Sequence, residues 1–332
     1  MRKGIKKWVV EFDLRRSLNF LTLTVVTYYL VSQVVSNWDQ LKQYDYHQDP
    51  IYALLSFACL LGYFVSMAWA WSSILTVFRQ TITLPQAFRI LSLSQLEKYI
   101  PGGFWSLLGQ VQLGSTMGVS RDALLRASLL HLLFTVLTGL EIFLFWRLVY
   151  VAEEIMWVLP GLLILITAFS LVPFCINALF DWLLRVLSQK ELGDSLPHWD
   201  FAKTLRFQLL FICCWLWLGL ALWLFVNSLA IVGARFYIHI LGAFAASWGI
   251  GVLNFVTPAG IGTREAGLVF FLKRLFPSSE ALVVALALRL WITLAELVCA
   301  MVAWKIGKKG NFSRLFLSCL PGLGFFVFLL DG

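Results

Sequence analysis

The sequence predicts an all-α, polytopic transmembrane helix bundle with two opposed re-entrant helical hairpins, arranged like an inverted repeat. Three observations predict it. The 332 residues are 60% hydrophobic and only 13% charged, against about 45–50% and about 25% in soluble domains. The apolar residues gather in runs of about 18 or more, the length of a helical span. Two further apolar stretches are interrupted by proline, glycine and charge. The short alternating segments of a membrane β-barrel are absent.

Unbroken runs lie near 18–36, 51–77, 123–149, 156–184, 207–231, 281–304 and 314–330, which gives about seven full spans. The broken stretches cover 85–119 and 238–276. The longest polar connection, "RVLSQKELGDSLPHWDFAK", leaves no room for a soluble domain. Residues 1–332 therefore read as a single integral membrane domain. Charges continue to Arg16 and no small-residue cleavage site follows, so the first run is expected to be a retained helix.

Basic residues orient the spans. Six Lys/Arg fall within the first sixteen residues, which places the N-terminus in the cytoplasm. The loop "NWDQLKQYDYHQDP" carries Lys42 against Asp39, Asp45 and Asp49 and reads as outside. Arg79, Arg89, Lys98, Arg121 and Arg126 read as inside, and Glu153 and Glu154 as outside. Arg185, Lys190, Lys203 and Arg206 mark an inside loop, and Lys305, Lys308, Lys309 and Arg314 another. By parity, run 51–77 ends inside and run 123–149 begins inside, so 85–119 must return to its own side. Stretch 238–276 must do the same from the opposite face. Irregular backbone at membrane depth survives where it is buried in protein or lines a wet cavity. Paired broken segments in corresponding places mark the substrate site of inverted-repeat transporters.

The breaks carry the chemistry. In "TPAGIGTREAG", Pro258 ends the incoming helix, and Gly260 and Gly262 permit a sharp turn. Thr263 reads as the N-cap of a new half-helix with Glu265 in its first turn. The free N–H groups there, with Arg264 beside them, suit a phosphate or carboxylate. In "EKYIPGGFWSLLGQ", Pro101 and Gly102 break the chain, with Glu97, Lys98 and Tyr99 before and Trp105 and Gln110 after. Arg289 and Glu296 lie seven residues apart on one face of the run 281–304. Two readings stand for these charges: ligand binding, or a structural network of Glu265 with Arg289 and Arg264 with Glu296. Intramembrane ionisable groups cost about 2.5–3.5 kcal/mol each on insertion scales, which marks them as functional candidates.

Other features read more plainly. The net charge of +8 follows the positive-inside pattern, so no nucleic-acid partner is expected. The six cysteines show no metal-ligand spacing and read as small buried hydrophobes. Glu141, with Arg147 six residues on, reads as an interfacial residue, and His131 as a satisfied polar contact. Asp181 and Arg185 read as a surface pair. No nucleophile elbow, Walker loop or zinc motif appears, so neither enzyme activity nor a cofactor is expected. "GIGTREAG" lacks the strand and βαβ unit of a dinucleotide fingerprint.

The two broken motifs carry a resemblance. "LEKYIPGGFWSLLGQV" is similar to the Lys/Tyr–hydrophobic–Pro–Gly–x–x–Trp pattern of the flippase-like family, which includes the transmembrane domain of lysylphosphatidylglycerol synthases. "TPAGIGTREAGL" resembles that family's Pro–x–Gly–hydrophobic–Gly–x–Arg–Glu signature. The resemblance covers roughly 15–310 of the chain. It places Lys98, Tyr99, Pro101, Gly102 and Trp105 on the first motif, and Pro258, Gly260, Gly262, Arg264 and Glu265 on the second. It implies an inner-membrane translocase of a polar, anionic or aminoacylated lipid. Two departures matter. Gly109–Gln110 stands where the family often has Gly–Arg, and no aminoacyltransferase domain follows within these residues. The alternative is a non-transporting accessory or scaffold subunit of a lipid- or glycan-synthesising enzyme. Membrane lipids, such an enzyme and a second copy of the chain are the partners considered.

Overall fold

The computed structural model describes residues 35, 49–99, 105–151, 201–254, 260 and 262–307. Among them every regular element is helical. In chain order these are α1 (Pro50–Val77), α2 (Leu84–Ser94) running into a 3-10 turn (Gln95–Tyr99), α3 (Trp105–Ser115), α4 (Arg121–Val151), α5 (Phe201–Leu229), α6 (Tyr237–Leu253) after a 3-10 turn (Ala234–Phe236), α7 (Thr263–Leu272) and α8 (Ser278–Gly307). The expected spans 18–36 (Val35 apart), 156–184 and 314–330 lie outside the described residues, as does the Asp181–Arg185 pair.

Five helices are long and apolar enough to cross a membrane: Pro50–Val77, Arg121–Val149, Phe201–Leu229, Ala234–Leu253 and Glu280–Ile306. The chain is therefore a multi-pass membrane protein. Four of the five coincide with expected spans. The fifth is the incoming arm of the second broken stretch. By contrast α2, α3 and α7 have 11, 11 and 10 residues. At 1.5 Å per residue they rise roughly 15–17 Å, about half the hydrocarbon core. Large apolar side chains such as Leu54, Trp69, Leu209, Leu253 and Phe270 point outward, as lipid-facing flanks must.

Local chemistry sets the helix ends. Asp49 caps α1, its Oδ1 accepting from Ile51 N–H at 2.9 Å, and Pro50 occupies the first turn where no N–H is needed. Ser120 Oγ accepts from Ala123 N–H at 3.2 Å and starts α4.

The chain forms two compact units interleaved in sequence. One comprises His47–Leu84 and Arg126–Gly249. In it α1 and α5 run antiparallel, the sense that the basic residues predict. Ser56 Oγ donates to Ala221 O at 2.7 Å, and Trp217 Nε1 donates to Cys59 O at 2.7 Å. Near the other end of the contact, Asp49 N–H donates to Ser228 O at 3.2 Å. Trp215 Nε1 donates to Thr135 O at 3.2 Å and ties α5 to α4. Trp146 on α4 donates its indole N–H to His239 Nδ1 on α6 at 3.2 Å.

The Trp146 ring lies directly where a Cβ on Gly242 would sit. Gly242→Ala must push a fully buried indole out of place, so a loss of about 1–3 kcal/mol is expected. Thermal unfolding in detergent micelles checks it.

Two expectations fall in this unit. Glu141 accepts a hydrogen bond from Gln208 Nε2 on α5. His131 is buried edge-on to Phe211, with ring centroids 5.3 Å apart. Its Nε2 meets no hydrogen-bond partner among the described residues, so the expectation of a satisfied polar contact does not hold at that atom.

The other unit takes Pro85–Leu125 and the chain from Ile250 onward. Here α7 and the 3-10 turn Gln95–Tyr99 both pack on α8, and α3 packs on that turn. The elements flanking both predicted breaks thus gather around one long helix.

Candidate functional site

Helix α8 supplies the platform. Arg289, Thr293 and Glu296 recur at helical spacing and share one face. Thr293 Oγ1 donates to Arg289 O at 2.8 Å, which fixes its hydroxyl on that face. The 3-10 turn lays Lys98 and Tyr99 across it. Lys98 Nζ forms an ion pair with Glu296 Oε1. Tyr99 donates its hydroxyl to the second oxygen, Glu296 Oε2, at 3.0 Å, and lies 3.3 Å from Thr293 Oγ1. The Lys98 ammonium also stands 5.3 Å from the Tyr99 ring centroid, within cation–π range. Glu296 is thus gripped at both oxygens by consecutive residues of the first motif.

The second motif meets the same face. Gly260 and Gly262 have φ of +68° and +86°, left-handed values that favour glycine. Gly262 is the N-cap of α7, correcting the expectation that Thr263 caps it. Thr263 is the first helical residue. Its Oγ1 donates to Gly260 O at 3.0 Å and accepts from Asn254 Nδ2 at 3.2 Å, and so binds the two flanks of the turn together. Glu265 folds back so that Oε2 accepts from Gly262 N–H at 2.6 Å. Its other oxygen, Oε1, lies 3.6 Å from Arg289 Nε. The Gly262 N–H is therefore taken by the chain's own carboxylate, which narrows what the helix terminus can offer an external anion.

Arg264 runs along bare backbone. A Cβ on Gly251 would fall on its Cγ, Cδ and Nε, and one on Gly260 would come within 3.1 Å of its Nε. The two glycines form a trough for the Arg264 stem. The guanidinium lies within electrostatic reach of Arg289, Glu296, Glu265 and Tyr99. Of the two structural pairs that the sequence suggests, Glu265–Arg289 forms. Glu296 is held by Lys98 and Tyr99, an arrangement the sequence reading did not contain.

The cluster sums to three cations, Lys98, Arg264 and Arg289, against two carboxylates, Glu265 and Glu296. Among the described residues it carries one excess positive charge. Side-chain exposures are 19% for Lys98, 12% for Arg289, 6% for Glu296 and 4% for Glu265, so water screens these charges poorly.

Seven of the twelve sequence-predicted residues sit in this cluster: Lys98, Tyr99, Gly260, Arg264, Glu265, Arg289 and Glu296. Gly262 caps the helix that carries two of them. Trp105 opens α3, half-buried. Pro101, Gly102 and Pro258 lie outside the described residues. Sequence reasoning missed Thr293, Gly251 and Asn254. Thr293 had a readable signal, standing four residues after Arg289 and three before Glu296. Gly251 had none, since a glycine in an apolar helix is ordinary.

The chain matches no family model and no curated protein.

Proposed function

We propose that the chain is a lipid translocase of the inner membrane, with its N-terminus in the cytoplasm, moving a polar anionic or aminoacylated lipid between leaflets. The observation that carries this reading is the buried cluster of Lys98, Tyr99, Arg264, Glu265, Arg289 and Glu296, assembled from both broken segments. A lipid phosphate would be held there, with Arg264 as its principal contact. Two further features support the reading. Helices α2, α3 and α7 are too short to cross, as the arms of re-entrant hairpins would be, while α6, the incoming arm of the second broken stretch, is long enough to span. The residues that build the cluster are also those on which the resemblance to flippase-like proteins rests.

Leaflet accessibility of labelled phosphatidylglycerol, its lysyl form and a polyprenyl phosphate in proteoliposomes tests it. Arg264→Ala is expected to slow the transported lipid about tenfold or more, the effect of losing one charge-assisted contact. Equal rates in wild type and variant would remove Arg264 from the site.

A second reading, the accessory subunit beside a lipid or glycan enzyme, is favoured by the internal pairs Lys98–Glu296 and Arg289–Glu265. It predicts no accelerated movement of any lipid by folded protein, and co-purification with an enzyme from mild detergent.

A further inference from the structure

The 3-10 turn Gln95–Tyr99 holds a second acidic side chain that the cluster does not use. Successive side chains on a 3-10 helix point about 120° apart, given three residues per turn. Lys98 and Glu97 therefore face different neighbours. Lys98 reaches α8. Glu97 turns to α3, where its carboxylate lies against the bare backbone of Gly109, in the space a Cβ would fill. Glu97 is buried, 8% exposed.

Among the described residues no charge balances Glu97. Helix α3, WSLLGQVQLGS, contains no ionisable residue. The charges that α8 directs to this turn, Arg289 and Glu296, serve Lys98 and Tyr99. Arg89 is two turns earlier on α2, and no ion pair joins it to Glu97 among the described residues. No hydrogen bond reaches Glu97 from them either. The next residue after its contact point, Gln110, is 6% exposed, and its Oε1 also has no donor among the described residues. Glu97 thus stands buried against bare backbone, with no cation beside it among the described residues.

An isolated buried carboxylate is far costlier than the neutral acid, so such a group holds a proton. We propose that Glu97 is a proton-carrying carboxyl: it binds a proton at a carboxylate oxygen while its segment is buried against α3, and releases it to water when the segment is exposed. The step forms and breaks one O–H bond, with bulk water as donor and acceptor, and nothing is oxidised or reduced. Its use as the coupling group for lipid movement rests on the transport reading; proton binding itself does not. A group next to Lys98 in sequence, on the same rigid turn, would move with the lipid site.

Infrared difference spectroscopy across a pH titration tests it on full-length protein in phosphatidylcholine liposomes, in H2O and D2O. At neutral pH the wild type is expected to show a neutral-carboxyl C=O band that shifts in D2O. Glu97→Gln should lose it, Glu97→Asp should keep a shifted one, and Glu141→Gln should leave it in place. If Glu97→Gln instead removes only ionised-carboxylate bands at neutral pH, the proposal is overturned, as it is if sodium rather than acid shifts the Glu97 signal. A neutral band in protein that moves none of the labelled lipids would sink the transport reading and leave the proton site standing.

Discussion

Glu296→Ala is expected to cost about 3 kcal/mol or more of stability, the largest loss of any single substitution in the charged cluster. The carboxylate bonds Lys98 at one oxygen and Tyr99 at the other. Removing it strands a poorly hydrated ammonium beside Arg289 and Arg264, which share its sign. The penalty comes from the unpaired charge rather than from the lost attraction, and that distinction is measurable. Lys98→Met combined with Glu296→Leu removes both charges and refills the volume, so the double variant should recover most of the loss. Thermal unfolding of Lys98→Met, Glu296→Leu and the double variant closes the cycle. The same proteins address function. A stable double variant that no longer moves lipid assigns the pair to the transport site. One that still moves it makes Lys98–Glu296 a structural clamp. If Glu296→Ala proves as stable as wild type, water reaches this cluster more freely than its burial implies.

Much of the candidate site was legible because charge is rare in this chain. A residue such as Arg264 or Glu296 in an apolar run needs a partner, and few are within reach. The spacing of Arg289 and Glu296 put both on one helical face, and the Glu265–Arg289 pair followed. Which cation would hold Glu296 was not legible. That depends on a 3-10 turn at Gln95–Tyr99, which rotates Lys98 toward α8 and Glu97 toward α3. The sequence marks a break there but not its pitch. Thr263 illustrates a second limit. Threonine is a good capping residue, yet Gly262 takes the cap because its left-handed φ of +86° suits the turn and lets Glu265 fold back to its N–H. The membrane helices were plain from composition. The antiparallel sense of α1 and α5 agrees with where the lysines and arginines fall, whereas their contact was not legible. The glycines that make room for a side chain, Gly251, Gly109 and Gly242, could not be told from sequence, since nothing marks the neighbour that each admits.

Gly251→Ala is expected to reproduce the lipid-movement defect of Arg264→Ala while leaving every charge in place. Its Cβ would occupy the position of the Arg264 stem, from Cγ to Nε. The guanidinium must then leave the trough between Gly251 and Gly260, and a displacement of about 1 Å from productive geometry can cost on the order of 100-fold in rate. The stability loss should be smaller in consequence, about 1–3 kcal/mol of overpacking. The double variant separates position from charge. Arg264→Ala deletes the stem that the new methyl strikes, so Gly251→Ala should cost little stability in that background and slow lipid movement no further. Strict additivity in both measurements would mean that the arginine finds a second, equally good path past the methyl. Gly260→Ala is a harsher neighbour to test. Its φ of +68° adds about 1–2 kcal/mol of backbone strain, and its Cβ would meet Gly251 Cα and O at 2.8 and 2.9 Å as well as Arg264 Nε at 3.1 Å. A larger stability loss at Gly260 than at Gly251, with similar loss of lipid movement, would show that the chain spends two glycines here for different reasons: one for the turn of the backbone, one for the passage of Arg264.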